Sequence, residues 1–355
     1  MIRKSLWKIG INEKYLLMPT IFRSLSSFST HEFYDFRIYI VRKCFINYFE
    51  KHNHIHVPSS SVLPDSSDDT LMFTNAGMNQ FKSIFLGSMD NRWSHLQRVV
   101  NYQKCIRAGG KHNDLDDVGR DLYHQTFFEM LGSWSFNDGY SREMACHLAW
   151  NFLTEVLNID SSRLYVSYFG GNEMLGIPAD IKCKKIWLNL GIPESHIIPF
   201  DKDNFWEMGS VGPCGPSTEI HYDRKQGRKN AQHLVNVDVS LVELWNIVFM
   251  SYMRLPNGQL KILPKEHIDT GMGLERLVSV VQNVPSNFDI DIFVPILNRI
   301  CELSSGSAYT GLVADEDINM KDTAYRIVAD HIRAVTIALS DGALPGPSKI
   351  GLSIF

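Results

Sequence analysis

The sequence predicts an α+β fold, an antiparallel sheet flanked by helices and followed by the start of an α-helical domain. Three observations carry that expectation. Residues 99–107 and 124–136 are strand-like stretches on either side of a polar, glycine-containing loop, the pattern of an antiparallel hairpin. Residues 241–252 form an almost unbroken apolar run, and 262–269 form a second strand-like stretch leading into Gly271-Met-Gly-Leu-Glu-Arg276; both suit the centre of a sheet. Helical spacing of apolar residues recurs before, between and after these strands.

In chain order, Ser29 and Glu32 are spaced as a capping box, and Phe33, Phe36, Ile40, Cys44 and Tyr48 then recur at helical spacing, so a helix is expected from near residue 30. It runs into His54-Ile-His-Val-Pro58, an alternating stretch stopped by proline, which predicts a strand ending in an extended turn. His52, His54 and His56 invite a metal reading, but no carboxylate is spaced to complete a site, and a plain strand edge is the better account. The hairpin loop, 108–123, carries Gly109, Gly110, Lys111, His112, Asn113 and Asp114; loops of this length are usually functional or disordered. A helix is expected around 141–157, then a mixed α/β stretch to about Pro199. Residues 201–223 contain Trp206 and Gly212-Pro-Cys-Gly215-Pro216 and predict a rigid, turn-rich loop suited to a pocket wall. Residues 321–339, with Ile327, Val328, Ile332, Val335 and Leu339, predict an amphipathic helix of a second domain.

Composition sets the bounds. The 355 residues include 35 Lys and Arg against 39 Asp and Glu, a formal net charge of −4, with 44% apolar residues. Those values exclude disordered, collagenous and small disulfide-framework proteins and leave an ordinary globular chain with room for two domains. No apolar run approaches the roughly 18–20 residues of a membrane-spanning helix. The acidic balance argues against a surface built wholly for nucleic acid. Cysteines at 44, 105, 146, 183, 214 and 301 show neither CxxC pairs nor zinc spacing, so free thiols in a reducing compartment are expected.

Residues 1–29 differ in kind. Arg3, Lys4, Lys8, Lys14 and Arg23 stand against the single acid Glu13, among five serines and scattered bulky apolar residues, a composition that resembles a mitochondrial presequence. A basic tail without a targeting role is the alternative. Setting these five basic residues and one acid aside leaves 30 against 38, a more acidic body.

Among candidate sites, Gly271-Met-Gly273-Leu-Glu-Arg276 begins like a dinucleotide fingerprint, but Arg276 stands where the third glycine would allow close helix packing. An arginine at a helix start beside glycines suits a polyphosphate end instead. A Walker A loop is absent from the chain. Arg107, at a strand end beside the long loop, is the second phosphate candidate; taken alone, such an arginine is more often a surface ion pair. The ordered set of a hairpin with Arg107, the Phe128–Glu129 pair and a separate GxGxER element makes an accidental match improbable.

Longer segments identify the family. Thr74-Asn-Ala-Gly-Met-Asn-Gln-Phe-Lys82, Lys104-Cys-Ile-Arg-Ala-Gly-Gly-Lys-His-Asn-Asp114, Phe127-Phe-Glu-Met-Leu-Gly132, Gly212-Pro-Cys-Gly-Pro216, Leu244-Trp-Asn246 and Asp269-Thr-Gly-Met-Gly-Leu-Glu-Arg276 occur in this order. From about residue 32 to 344 the sequence resembles the catalytic core of class II aminoacyl-tRNA synthetases, and among them the alanyl-tRNA synthetases; with its leader it is most similar to the mitochondrial form. The helix, strand and Pro58 resemble motif 1, the hairpin motif 2, and the GMGLER element motif 3.

The resemblance implies a ligase that activates L-alanine with ATP and Mg2+ to alanyl-adenylate, releases pyrophosphate, and transfers alanine to the 3′ end of tRNA(Ala) for mitochondrial translation. It implies a matrix location, with the cytoplasm as alternative, and no membrane association. By matching position, Arg107 and Arg276 are the catalytic arginines, Arg107 on the α-phosphate and substrate carboxylate and Arg276 on the terminal phosphates. Phe128 would stack on adenine, Gln125 would supply an amide contact to ATP where the family usually has histidine, and Gly273 would leave room for the nucleoside. Trp206, Leu244, Trp245 and Asn246 would line the pocket, with Asn246 and Asp269 holding alanine; on aromatic preferences alone core packing is the favoured reading for both tryptophans. Ser210, Ser217 and Ser251 depart from the family's residues without removing a ligand. The implied division is a leader at 1–29, a catalytic domain at 30–285 and the start of a helical tRNA-recognition domain at 286–355. Residues 345–355 do not match the family, so truncation after the core is expected, with zinc belonging to the missing editing domain. The alternative function is a non-catalytic or transfer-deficient fragment with a binding or regulatory role.

Overall fold

The first described helix, α1 (Ile38–Lys51), begins later than the local spacing predicts. Its leading amide is capped from a distance: the Ile38 N–H donates to both carboxylate oxygens of Asp291, at 3.2 and 3.3 Å. A tertiary cap of this kind leaves no local sequence mark. The computed structural model describes residues 36–64, 71–87, 93, 95–109, 112–174, 176–228 and 231–346, so the expected leader at 1–29, the expected Ser29–Glu32 capping box and Phe33 lie outside the described residues. The buried stripe of α1 is Ile38, Val41, Phe45, Ile46 and Phe49; the expected set of Phe36, Ile40, Cys44 and Tyr48 lies half-buried on its flank. Packing decides between the two stripes, because Phe45 and Phe49 meet Trp245 at ring-centroid distances of 5.7 and 6.2 Å.

β1 (Ile55–His56) is short and pairs in parallel with β2 (Arg98–Ile106), beyond a small helix α2 (Lys82–Phe85). β2 runs antiparallel to β5 (Phe127–Ser135), the expected hairpin, and its loop holds a two-residue ladder of β3 (Ala108–Gly109) and β4 (His112–Asn113). α3 (Arg142–Asn151) follows, with the Ser141 hydroxyl accepting the Met144 N–H at 3.3 Å as its N-cap. Next come β6 (Leu164–Phe169), α4 (Ile181–Asn189), β7 (Ile197–Phe200) and β8 (Phe205–Glu207).

The expected loop is in fact a strand from Gly212 onward: β9 (Gly212–Asp223) is buried throughout. Pro216 is tolerated because the pairing with β10 (Leu241–Arg254) shifts register between Val248 and Tyr252, opposite Gly215-Pro216, so its missing N–H costs the ladder little there; Pro213 is the second residue of β9, paired with Met253 next to the end of β10. β10 then pairs with β11 (Leu260–Gly273), which runs directly into α5 (Leu274–Val281). α6 (Val294–Ser304) and α7 (Lys321–Ser340) complete the described elements.

The main sheet has the order β1-β2-β5-β11-β10-β9-β6-β7, with β8 beside β9; its centre is antiparallel and its two ends are parallel pairs. Helices α1, α3, α4 and α5 contribute to a core around Phe45, Phe152, Trp187 and Trp245. α7 has the expected extent but not the expected face. Val328, Ile332 and Leu339 are exposed, while Asp322, Arg326, Asp330 and Arg333 are buried beside Ala329, Ala334 and Ala338. Each buried charge has partners, which is what makes that orientation affordable. Asp330 Oδ1 accepts the Thr126 N–H at 2.9 Å, Arg326 Nε donates to the Gly119 carbonyl at 2.8 Å, and Arg333 donates to Glu275 Oε1 at 2.7 Å.

Candidate active site

Strand register brings small and polar residues into one patch. Gly273 lies opposite Met130, Gly271 opposite both Gly132 and Asn246, and Asp269 opposite both Trp134 and Val248. These strands floor a cavity of about 750 Å³, lined by Phe128 and Met130 from β5, Asp269, Gly271 and Gly273 from β11, and Leu244, Asn246 and Val248 from β10. Its walls come from Asn75 to Lys82, the hairpin loop, Trp206 of β8, and Arg276 in the first turn of α5.

Two arginines border the cavity. Arg107 follows β2; its Nε donates to the Asn75 carbonyl at 3.3 Å, its guanidinium stands 5.0 Å from the Phe128 ring centroid, and Asp114 lies 3.8 Å away. Burial pushes the Asp114 carboxyl up, opposed by Arg107. Arg276 donates to the Glu243 carbonyl at 2.8 Å, lies 3.9 Å from the Glu243 carboxylate, and stacks 5.2 Å from the Tyr123 ring. Both guanidinium side chains keep about a quarter of their surface exposed, 28% and 24%, so each holds its place while still facing the cavity. His124 is tied to Asp121, and that contact raises its pKa against the effect of burial.

The other expected residues divide. Gln125 is buried on the cavity wall; its Oε1 accepts from Asn287 at 3.5 Å, and its Nε2 finds no partner among the described residues. Gly273 caps α5 with φ −65°, and a Cβ there would touch only the Arg276 Cβ, at 3.5 Å, so nothing in the protein itself demands glycine. Asn246 Nδ2 donates to Glu219 Oε1 at 3.1 Å, leaving its Oδ1 without a partner among the described residues. Asp269 is half-buried and accepts the Trp134 indole N–H at 2.5 Å; burial pushes its carboxyl up to about 7 while that hydrogen bond pulls the other way.

Trp245 is the correction. It is fully buried between Phe45, Phe49 and Phe152 and does not line the cavity. Alternation along β10 sends it to the opposite face from Asn246. Sequence reasoning also passed over Trp134, Glu219, His221, Glu243 and Tyr123. Of these, Trp134 and Glu219 each lie directly opposite a named residue across the ladder, a relation that emerges only once the strands are paired. Buried Glu219 accepts from both Asn246 and His221, the latter at 3.0 Å, and desolvation raises its pKa.

Known proteins are similar to this chain over most of its length. The chain is 57% identical over 314 residues to the mitochondrial alanine–tRNA ligase of Caenorhabditis elegans, covering 88% of this chain and 38% of that protein. It is 55% identical over 309 residues to the alanine–tRNA ligase of Candida albicans, covering 86% of this chain and 32% of the relative. The cytoplasmic alanine–tRNA ligase of C. elegans is 56% identical over 316 residues, covering 88% and 32%. The chain thus spans about a third of the length of the curated relatives it matches. Residues 40–352 match the family model described as tRNA synthetases class II (A), and the chain belongs to that family.

Proposed function

We propose that this chain carries out alanine activation: ATP and L-alanine react to alanyl-adenylate and pyrophosphate, and alanine then passes to the 3′ end of tRNA(Ala). The observation that carries the reading is one cavity with two arginines at its rim, a glycine floor, and Asp269 beside Asn246. Identity of more than half to alanine–tRNA ligases supports the amino acid.

The chemistry needs little from a general base. The alanine carboxylate is already ionised at neutral pH, and its oxygen attacks the α-phosphorus of ATP as pyrophosphate leaves. What remains is alignment and charge neutralisation. Arg107 would hold the α-phosphate and the incoming carboxylate, and Arg276 the terminal phosphates. Phe128, under the Arg107 guanidinium, would stack on adenine, and Gly273 would let the nucleoside approach the backbone. Gln125 Nε2 would donate to the nucleotide, while Trp206 and Leu244 would wall the pocket. Asp269 would receive the alanine ammonium, with Asn246 Oδ1 as its second acceptor.

Mg2+ would neutralise charge on the phosphates when bound. Magnesium usually takes one or two carboxylates plus substrate phosphates. Glu243 fits that part, with its side chain 40% exposed next to Arg276, and no cluster of three potential metal ligands occurs among the described residues. We further assign residues 30–285 to activation and 286–355 to the start of a helical tRNA-recognition domain, with 1–29 as a mitochondrial leader and the matrix as the place of action.

Alanine-dependent exchange of labelled pyrophosphate into ATP tests the activation step. The unsubstituted chain is expected to exchange with alanine and not with leucine. Arg107→Ala should lose about a hundredfold or more of the rate. A folded protein with no alanine-dependent exchange would refute the reading.

A further inference from the structure

Trp134 of β5 lies directly across the ladder from Asp269 of β11, and its indole N–H donates to Asp269 Oδ1 at 2.5 Å. The side chain is completely buried. Its ring lies over two glycines: a Cβ on Gly132 would come within 2.1 Å of Cη2, and one on Gly77 within 2.8 Å of Cζ2. Phe81 packs against the same ring at a centroid distance of 4.9 Å. Neither Gly77 nor Gly132 has a positive φ, so the indole, and not the backbone, excludes a side chain at both positions. A tryptophan that only fills volume needs no such seat. This one is held from two sides with its single polar atom aimed at one carboxylate oxygen.

We propose that Trp134 is a positioning residue for the amino-acid end of the cavity: seated on Gly132 and Gly77, its indole N–H fixes the Asp269 carboxylate in the orientation that receives the substrate's ammonium group. The proposal rests on the reading of the site given above. One Asp269 oxygen is committed to the indole, and the other is presented to the substrate. The same bond favours the ionised carboxylate, which burial opposes. The buried Tyr140 phenol, whose hydroxyl finds no hydrogen-bond partner among the described residues, feels the Asp269 charge, and Arg98 acts on it in the opposite sense. The sequence carries the device as Gly132-Ser-Trp134, with the glycine two residues back on the same strand face.

Two measurements on the whole chain test this. The first is a 13C titration of aspartate-labelled protein, with the Asp269 resonance identified by its loss in Asp269→Asn. Trp134→Phe should raise the Asp269 titration midpoint by about one unit, because a charge-assisted hydrogen bond is removed while an aromatic ring remains. An unmoved midpoint overturns the proposal, since loss of packing alone would not shift it upward. The second is pyrophosphate exchange: KM for alanine should rise about tenfold in Trp134→Phe, and KM for ATP should stay within about twofold. Equal rises in both, or no rise in alanine KM, overturn it as well. If circular dichroism shows Trp134→Phe to be unfolded, Gly77→Ala takes its place. It keeps the indole but presses on its ring, and it should shift the same two quantities in the same directions. Absence of alanine-dependent exchange in the unsubstituted chain refutes the functional reading, whereas an unmoved Asp269 titration refutes the positioning role, so the two failures are told apart.

Discussion

Asp269 sits where its own charge is poorly solvated, and substrate binding gains from what folding loses there. Burial moves its carboxyl from 3.8 to about 7. A folded pKa above the unfolded value adds stability below the unfolded pKa, and that stability is lost as pH rises through the folded pKa. Above neutrality, then, the ionised carboxylate is a cost that an incoming ammonium group relieves. Asp269→Asn is expected to melt higher than the unsubstituted protein near pH 8, by an amount bounded at on the order of 4 kcal/mol, with the difference shrinking toward pH 5. The same variant should show no melting shift with alanine at concentrations that stabilise the unsubstituted chain. Thermal melts across pH, with and without alanine, check both outcomes. A variant no more stable at pH 8 than at pH 5, relative to the unsubstituted protein, would contradict the buried-charge account.

At the scale of elements, two glycines that look alike in sequence have different reasons to be glycine. In β9, a Cβ on Gly215 would lie 2.0 Å from the Phe249 carbonyl oxygen, and backbone cannot rotate away as a side chain can. Gly215→Ala should cost about 3 kcal/mol or more, read as a lower urea midpoint at unchanged m. At the start of α5, Gly273→Ala meets only the Arg276 Cβ at 3.5 Å, so stability should stay within about 0.5 kcal/mol while KM for ATP rises. This contrast also marks what the sequence made legible. The β2–β5 hairpin and the β10–β11 pair are readable because apolar runs bounded by turn residues have few other folds open to them. β9 is not, because Gly-Pro-Cys-Gly-Pro reads as a loop unless the partner strand's register shift is known. Motif matching places Leu244, Trp245 and Asn246 in the pocket together; the two-residue period of β10 then takes Trp245 into the core with Phe45 and Phe49. The Trp134–Asp269 bond depends on a pairing between strands far apart in the chain, and no local pattern announces it.

For the molecule as a whole, α7 is the element that joins distant pieces of the cavity wall. Its Asp330 holds the backbone of Thr126 at the start of β5, its Arg333 pairs with Glu275 of α5, and Asp341 just beyond it pairs with Lys104 of β2 and accepts the Val62 N–H. Glu275 is the hub: fully buried, it also accepts the Glu129 N–H at 3.0 Å, and Glu129 in turn pairs with Arg42 of α1 at 2.5 Å. An amphipathic pattern misplaces the buried face of α7 because these buried charges are satisfied by partners spread over the chain, while Val328, Ile332 and Leu339 of the apolar stripe lie outside and Ile327 and Val335 are half-buried. Removing one partner of such a pair is far costlier than never having had it. Arg333→Met keeps most of the volume but leaves the Glu275 carboxyl buried without its cation, and should destabilise the protein by about 3–5 kcal/mol at neutral pH. The pH dependence has a definite sign. Burial already raises the Glu275 pKa and Arg333 opposes that rise, so the substitution moves the folded pKa further up. Stability contributed by the protonated carboxyl is present at low pH and lost as pH rises through the folded pKa. Arg333→Met should therefore lie closer to the unsubstituted protein near pH 5 than near pH 8 in urea unfolding. Glu275→Gln with Arg333→Met together should recover part of the loss at the higher pH, as a double-mutant cycle would register. A deficit that is constant across that range, with no recovery in the double variant, would mean that α7 is held by packing and not by this charge pair.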